Sequence, residues 1–455
     1  MNLQGLTQEL SLYLESQVPQ GLWASGVGWS LLLCFGVAYA CYYLSSIAKK
    51  PELVTGSKSF HHFLQVYCPV VKETYYPPVW CWESRVQTLL RPLITSRPYV
   101  PYRNELIKAT DGGQISLDWF DNNDSVSCPD ASTRPTILLL PGLTGSSRES
   151  YILHMIQQSK ELGYRCVVFN YRGIAGENLL HKDEQNRKYF QHKFMPHNLL
   201  HIPHWQFIIT FHEEVNLLEL TPRTYCASNT EDLEAVIHYI CSLYSSAPLM
   251  AAGVSMGGML LVNYLGKTGT ETPLKAAAVF SAGWNVFDSV DSLEKPVNWL
   301  LFNYYLTSCL RSSVISKGTV AYHCENNNVF PLKLHIFPVV EAKTIREFDK
   351  QFTSVMFGYP TIDDYYTDAS PFRRLKNVGI PVLCLNSMDD VFSPNHAIPV
   401  EMAKQNPNVA LVLTSCGGHI AFLEGFWPRK CTYMDRVFKQ FVQAVFEHGS
   451  KILNM

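Results

Sequence analysis

Basic residues are scattered in this sequence, and no dense block of lysine and arginine occurs. The chain has 37 basic and 39 acidic residues among 455, which gives a formal net charge of −2. Proteins that bind nucleic acid neutralise phosphates with clustered basic side chains. We therefore expect no nucleic-acid partner.

Cysteine pairs with regular spacing are also missing. The 13 cysteines form no C-x-x-C pair, whereas zinc ribbons and dense disulfide frameworks depend on matched spacings. We expect mostly free thiols, as in a reducing compartment, and neither a metal ion nor another cofactor.

A third absence concerns charge near the start of the chain. No charged residue occurs in residues 16–48, and the segment from Leu22 to Ile47 is rich in apolar side chains. That length can cross a bilayer, and Trp29 and Tyr42 lie where aromatic belts are expected. The preceding tail, residues 1–15, has no lysine or arginine, and no small-residue cleavage site follows. We predict an uncleaved, single-pass transmembrane helix over residues 16–48.

Two signals disagree about the side of the membrane on which the rest of the chain lies. Lys49 and Lys50 follow the span, and the positive-inside rule places them in the cytosol. The sequon Asn123-Asp124-Ser125 would carry a glycan only on the luminal side. We favour a cytosolic main domain on an endomembrane such as the endoplasmic reticulum.

After the span, strand and helix patterns alternate. A hairpin is predicted around Asp111-Gly112-Gly113, and Ser228 with Glu231 fits the capping box of a helix. Apolar runs typical of buried parallel strands begin at Thr136, Cys166, Met250, Ala276, Pro381 and Ala410. The alternation indicates an α/β domain with a mostly parallel central sheet and helices on both faces.

The alternation also suggests how the chain is divided. Residues 49–100 are an aromatic, irregular connecting segment, and residues 284–374 are aromatic-rich and helical in character. Because the second segment enters between strands, we predict a lid over the carboxyl ends of the sheet. The α/β core then comprises residues 101–283 and 375–455.

A G-x-S-x-G motif, Gly253 to Gly257, joins a predicted strand to a predicted helix. Five residues alone also fit an ordinary small-residue turn. In a strand-to-helix elbow, however, the central serine has a strained backbone, and the residues two before and two after it must lack side chains. The setting predicts Ser255 as a nucleophile at the carboxyl end of the sheet.

A nucleophilic serine needs a base to remove its proton and an acid to orient that base. The loop after the strand that begins at Pro381 contains Asp389 and Asp390, and a glycine pair after the last strand precedes His419. The chain order serine, aspartate, histidine is similar to that of α/β-hydrolases. In that group the acid is often followed by a proline four positions later, as Asp390 is by Pro394, so the resemblance favours Asp390 over Asp389. His419 alone would be an ordinary histidine, but its position favours the role of base.

The negative oxygen that forms during acyl transfer needs two backbone donors. The amide of Met256, directly after the serine, is one candidate. The other is the amide of Leu143, in the loop Pro141 to Gly145 after the first parallel strand. An ordinary βα turn is the alternative, but the position of this loop ahead of the elbow favours the oxyanion role.

With these features placed, the chain resembles the AB-hydrolase-4 family of membrane-anchored α/β-hydrolases over nearly its whole length. The segments that carry the resemblance are Lys49-Lys50-Pro51, Asn104 to Lys108, Leu140 to Gly145, Gly176-Glu177-Asn178, Thr221 to Tyr225, Gly253 to Gly258, Asp389 to Pro394 and Gly417 to Ile420.

The resemblance implies the α/β-hydrolase fold, with Ser255 as nucleophile, Asp390 as acid and His419 as base. It further implies a phospholipase of the A type that cleaves acyl esters of phosphatidylcholine in a membrane and takes part in phospholipid remodelling. A hydrolase of other acyl esters or thioesters is the alternative within the same class.

One segment departs from the family pattern. In relatives the residues matching Gly176 to Leu180 run directly into those matching Thr221, whereas here residues 181–220 intervene. The insertion enters a loop on the rim where catalytic loops lie. A catalytically silent, membrane-tethered binding protein is therefore an alternative of a different class.

The insertion also contains a cluster of histidines. His197, His201 and His204 have helical spacing, but Pro203 interrupts a helix and no acidic partner is evident. We therefore predict no metal site there.

Overall fold

The computed structural model describes residues 27–174, 224–316 and 336–453. Its strands form one nine-stranded sheet in the order β1-β9-β8-β7-β6-β4-β5-β3-β2. They are β1 (Glu52–Val54), β2 (Arg103–Lys108), β3 (Gln114–Phe120), β4 (Thr136–Leu140), β5 (Arg165–Asn170), β6 (Leu249–Val254), β7 (Ala277–Phe280), β8 (Val382–Ser387) and β9 (Val409–Thr414).

The six strands β4 to β9 form the central part of the sheet. Within that part, adjacent strands run parallel to each other. β1 pairs antiparallel with β9 at one edge. β3 and β2 continue the sheet antiparallel from β5 at the other edge, with the predicted hairpin between them. The mostly parallel sheet expected from the alternation is confirmed.

Fourteen α-helices of four or more residues are distributed along the described part of the chain. They are α1 (Val27–Tyr42), α2 (Lys58–Tyr67), α3 (Ser84–Ile94), α4 (Ser150–Leu162), α5 (Glu231–Leu243), α6 (Met256–Thr268), α7 (Val286–Leu293), α8 (Tyr304–Ser316), α9 (Ile336–Glu341), α10 (Ile345–Phe348), α11 (Ile362–Ala369), α12 (Val400–Gln405), α13 (Tyr433–His448) and α14 (Ser450–Leu453). Turns of other helix types lie at Tyr43–Ile47, directly after α1, and at Trp299–Asn303, directly before α8.

Two apolar cores lie on the two faces of the sheet. Along β4, Leu138 and Leu140 belong to one core, and Ile137 and Leu139 belong to the other, as the alternation of side chains along a strand requires. Helices α5 and α6 cover the first face, and α4 and α13 cover the second. Because both faces are buried, the central strands are continuous apolar runs, which made them predictable.

Residues 49–100 are more regular than the sequence indicated. They contain β1, α2 and α3, so the prediction of an irregular segment was wrong. The reason is visible in α3, which turns the polar side chains of Ser84, Gln87 and Arg91 inwards. The usual apolar inner stripe is therefore missing from its sequence.

The predicted capping box at Ser228 was also wrong. Helix α5 begins at Glu231, whose amide bonds to the side chain of Asn229 (N to Oδ1, 3.2 Å). The Ser228 hydroxyl instead lies within hydrogen-bond distance of the Cys226 thiol (Oγ to Sγ, 3.1 Å). A nearer polar side chain thus satisfies the first amide of the helix.

Near the N-terminus, the helical segment Trp29–Ile47 is long and apolar enough to cross a membrane. The remainder of the predicted span, residues 16–26, lies outside the described residues, as does the insertion at 181–220 with its three histidines.

Helices α7 to α11 occupy the predicted lid between β7 and β8. Their apolar core includes Phe302, Phe348 and Phe352, and it packs against Leu143 and Phe392. The lid segment therefore meets the sheet at the loops in which site residues were predicted.

Candidate active site

The G-x-S-x-G motif forms a tight elbow between β6 and α6. Ser255 has φ 53° and ψ −120°, a strained conformation for a residue with a side chain. A Cβ atom on Gly253 would lie 2.4 Å from the Gly257 carbonyl oxygen, and one on Gly257 would lie 2.3 Å from the Leu140 oxygen. Only glycine fits at either position, as the motif predicted.

The three side chains predicted as a catalytic triad meet at this elbow. Ser255 Oγ lies 2.8 Å from His419 Nε2, and His419 Nδ1 lies 2.8 Å from Asp390 Oδ2. The side chain of Asp390 is fully buried, and that of His419 is 6% exposed. A carboxylate at Nδ1 holds the ring proton there, which leaves Nε2 free to accept the serine proton.

The Asp390 carboxylate is itself held by the backbone. Its Oδ1 atom accepts hydrogen bonds from the amides of Phe392 (2.8 Å) and Ser393 (3.3 Å). Its other oxygen remains directed at the imidazole. These bonds fix the orientation of the acid relative to the base.

Asp389 has a different set of partners from its neighbour. Its Oδ1 atom accepts bonds from the Ser387 hydroxyl (2.6 Å) and the Gly418 amide (3.0 Å). Burial raises the pKa of Asp389 to about 6. It thus ties the acid loop to the backbone of the histidine turn, while Asp390 contacts the imidazole.

Three further residues position His419, and sequence reasoning missed all of them. The hydroxyl of Thr88 accepts the His419 amide proton (2.9 Å), and that of Ser281 accepts the Ile420 amide proton (3.0 Å). The Phe392 ring stacks on the imidazole with centroids 4.1 Å apart. Of the three, only Phe392 lay in a segment already singled out, beside Asp390.

The loop after β4 lies directly against the elbow. A Cβ atom on Gly142 would come within 3.3 Å of Ser255 Cβ. The Gly142 amide donates to the Tyr151 hydroxyl (2.9 Å), and the Gly145 amide donates to the Gly142 carbonyl (2.9 Å). Those two amides are engaged elsewhere, so Leu143, the donor predicted from the sequence, stays a candidate in this loop.

Met256 supplies the other candidate donor. It is the first residue of α6, and the first amides of a helix have no acceptor within the helix. The positive end of the helix dipole adds to the attraction for a negative oxygen.

Groups of three or more side chains that could hold a metal ion are absent from residues 27–174, 224–316 and 336–453. The cysteines of those residues are free thiols. The contacts among Ser255, His419 and Asp390 bring together the hydroxyl, imidazole and carboxylate that acyl transfer by a nucleophilic serine needs.

Comparison with known proteins gives a consistent assignment. A model of the α/β-hydrolase fold matches residues 135–426. Phospholipase ABHD3 of Bos taurus is 66% identical over 455 residues, covering 100% of this chain and 99% of the bovine protein. Phospholipase ABHD3 of Homo sapiens is 66% identical over 452 residues, covering 99% and 98%.

Among solved structures, the Pyrococcus furiosus esterase Pf2001 is similar with a TM-score of 0.42 and 12% identity, over 76% of this chain and 93% of the esterase. On the match of the family model and the full-length relatives, this chain belongs to the α/β-hydrolase fold family.

Proposed function

We propose that this chain is a membrane-anchored serine hydrolase that cleaves acyl esters of phospholipids, with phosphatidylcholine as the substrate class. The observation that carries the proposal is the pair of 2.8 Å contacts linking Ser255, His419 and Asp390. The names of the full-length relatives support a phospholipid substrate. The apolar helix Trp29–Ile47 supports a membrane location.

In the first half of the proposed reaction, Ser255 Oγ attacks the carbonyl carbon of the acyl ester while His419 Nε2 takes the serine proton. The amides of Leu143 and Met256 stabilise the oxyanion. Collapse of the tetrahedral intermediate breaks the ester bond, and His419 returns the proton to the departing glycerol oxygen. A lysophospholipid leaves, and the acyl group stays on Ser255.

In the second half, water attacks the acyl-enzyme with His419 again as base. The fatty acid leaves, and Ser255 recovers its proton. Asp390 stays ionised throughout and stabilises the imidazolium that forms in both halves. Its full burial strengthens this interaction because little solvent screens the two charges.

The contact between lid and site is apolar, which suits a lipid substrate. The ring of Phe302 in the lid lies 5.3 Å from that of Phe392, which stacks on His419. Leu143, a candidate oxyanion donor through its amide, packs its side chain against the same lid core.

The test is turnover of phosphatidylcholine by the full chain in bilayers, with lysophospholipid and fatty acid both measured. Ser255→Ala should lower turnover by roughly 10⁴-fold or more. Ser132→Ala, at an exposed serine outside the site, should leave it unchanged. Hydrolysis of water-soluble esters without phosphatidylcholine turnover would show that the substrate is another ester and not a phospholipid. Inactivity on both substrates would favour a catalytically silent binding protein.

A further inference from the structure

Helix α3 exposes apolar side chains along one face. Val86 is 40% exposed, Leu89 is 38% exposed and Leu93 is 77% exposed. Their spacing places all three on the same side of the helix. A surface helix of a soluble protein normally has its apolar stripe inside and its polar side chains outside, so α3 has the opposite pattern.

The polar inner side of α3 is explained by the site that it supports. Thr88 accepts the His419 amide proton, and Gln87 Oε1 accepts the Leu423 amide proton (3.1 Å). Among the residues that the structure describes, the apolar side chains of Val86, Leu89 and Leu93 are instead exposed. Exposure of these apolar side chains to water is unfavourable, so we expect an apolar environment outside the protein to cover them.

A second apolar stripe lies beside the first, on the lid. Val297, Leu300 and Tyr304, in the stretch that leads through Trp299–Asn303 into α8, are 57%, 67% and 47% exposed. Arg85 Nε, in α3, donates to Asn298 Oδ1 at 2.8 Å. This bond places the lid stretch that contains Val297 beside the first turn of α3.

An aromatic loop lies at the other end of α3. Phe426 and Trp427 are 74% and 59% exposed, and the Trp427 ring lies 5.7 Å from that of Trp80. The Ser96 amide, just after α3, donates to the Arg429 carbonyl (2.7 Å). This bond holds the loop beside the helix.

These three elements form one surface, which we call the apolar face. It consists of Trp80, Val86, Leu89, Leu93, Val297, Leu300, Tyr304, Phe426 and Trp427.

The apolar face is continuous with the end of the membrane-spanning segment. Trp82 Nε1 donates to the Tyr39 hydroxyl (3.1 Å), and the Trp82 ring lies 6.0 Å from that of Tyr42. The Tyr43 hydroxyl donates to the Pro77 carbonyl (2.6 Å). Tyrosine and tryptophan concentrate at the level of lipid headgroups, so these contacts bring the apolar face to the bilayer surface.

We propose that the apolar face inserts into the bilayer that the Trp29–Ile47 helix crosses, as a second membrane contact on the helix that supports His419. The proposal rests on the membrane anchor of the proposed function. The lipid of that bilayer is the occupant because the aromatic end of the span already contacts Val79 and Trp82, on either side of Trp80 in the sequence. The helix that contacts lipid with its outer side then supports His419 with its inner side.

The test uses the full chain in phosphatidylcholine bilayers whose acyl chains carry bromine, which quenches tryptophan on contact. The chain has nine tryptophans. Substituting both Trp80→Phe and Trp427→Phe should lower the intensity that bromine quenches. Trp119→Phe and Trp284→Phe remove fully buried rings and should leave that intensity unchanged.

An equal quenched intensity in wild type and in the folded Trp80→Phe/Trp427→Phe variant would overturn the proposal. That result is also the one expected if a protein partner or a second copy covers the apolar face.

A second measurement links docking to turnover. Leu89→Asp together with Leu93→Asp should lower hydrolysis of bilayer phosphatidylcholine about tenfold while hydrolysis of a water-soluble ester stays unchanged. Leu243→Asp, at an exposed leucine outside the apolar face, should change neither. Unchanged bilayer turnover in the double variant would overturn insertion of the apolar face. Absence of phospholipid turnover in wild type and variants alike would instead refute the proposed function. The quenching result would then decide alone whether the apolar face contacts lipid.

Discussion

Adjacent aspartates in the loop after β8 have different partners, and this difference sets what each can do. Asp390 contacts His419 Nδ1 at 2.8 Å, whereas Asp389 contacts the Gly418 amide at 3.0 Å. Asp390→Asn replaces a carboxylate that fixes the imidazole tautomer, so we expect kcat to fall by about 10⁴-fold. Turnover within tenfold of wild type would contradict the assignment of the acid.

Asp389→Asn provides the matched control. An amide oxygen at this position can still accept bonds from Ser387 and Gly418, so the histidine turn stays in place. We expect kcat within about tenfold of wild type, since the change costs at most a weakened hydrogen bond. A loss as large as that of Asp390→Asn would mean that the two roles are exchanged.

The sequence predicted the side chains of the site better than their supports. Ser255, Asp390 and His419 each follow a strand at the same edge of a parallel sheet, so strand order alone brings them together. Thr88 lies 331 residues before His419. No local pattern relates a hydroxyl in an N-terminal helix to a backbone amide so far along the chain.

At the scale of elements, α3 supports the turn that carries the base. Thr88→Val removes the acceptor of the His419 amide proton while keeping the side-chain shape. The loss of about 1 kcal/mol of positioning should lower kcat several-fold, and Thr88→Ser should restore it. Equal kcat values for the valine variant and wild type would show that α3 does not position the base.

The lid contains a buried acid, Asp349, which makes the stability of the folded protein depend on pH. Asp349 accepts bonds from the hydroxyls of Thr353 (2.7 Å) and Tyr366 (3.2 Å), and burial raises its pKa to about 7. An unfolded aspartate has a pKa of about 3.9. Between about pH 3.9 and pH 7, Asp349 is therefore protonated in the folded state and ionised in the unfolded state. The stability that this proton contributes is lost as pH rises through 7.

Asp349→Asn should remove this dependence. Relative to wild type, the free energy of unfolding of the variant should increase between pH 5 and pH 8, by about 2–4 kcal/mol in total. Thermal unfolding of both proteins at the two pH values measures the change. A difference in Tm that is the same at pH 5 and pH 8 would contradict it.

The elements differed in how well they could be predicted. The central strands were found because burial on both faces leaves continuous apolar runs in the sequence. Helix α3 was missed because its polar side faces inwards. The start of α5 was misplaced because Ser228, Asn229 and Thr230 all suit a cap by residue type, and only the folded backbone places the N-cap at Thr230.

At the scale of the whole molecule, the orientation in the membrane stays a prediction. Asn123 is exposed and could accept a glycan if the main domain were luminal. Lys49 and Lys50 favour the cytosol, so we expect no change in mass after treatment with an endoglycosidase.

A control for this experiment is available at the N-terminus. Gln4→Thr creates a sequon at Asn2, on the other side of the span, and the variant should gain an endoglycosidase-sensitive glycan. Sensitivity of the wild type that Asn123→Gln abolishes would instead place the main domain in the lumen.

The central claim is that Ser255 is a nucleophile activated by His419. A fluorophosphonate probe reacts covalently with such a serine and reports it without knowledge of the substrate. Mass spectrometry of the labelled full chain should find the phosphonyl group on Ser255, and Ser255→Ala should remain unlabelled. Labelling of Ser255→Ala equal to that of wild type, or no labelling of the folded wild type, would contradict the account.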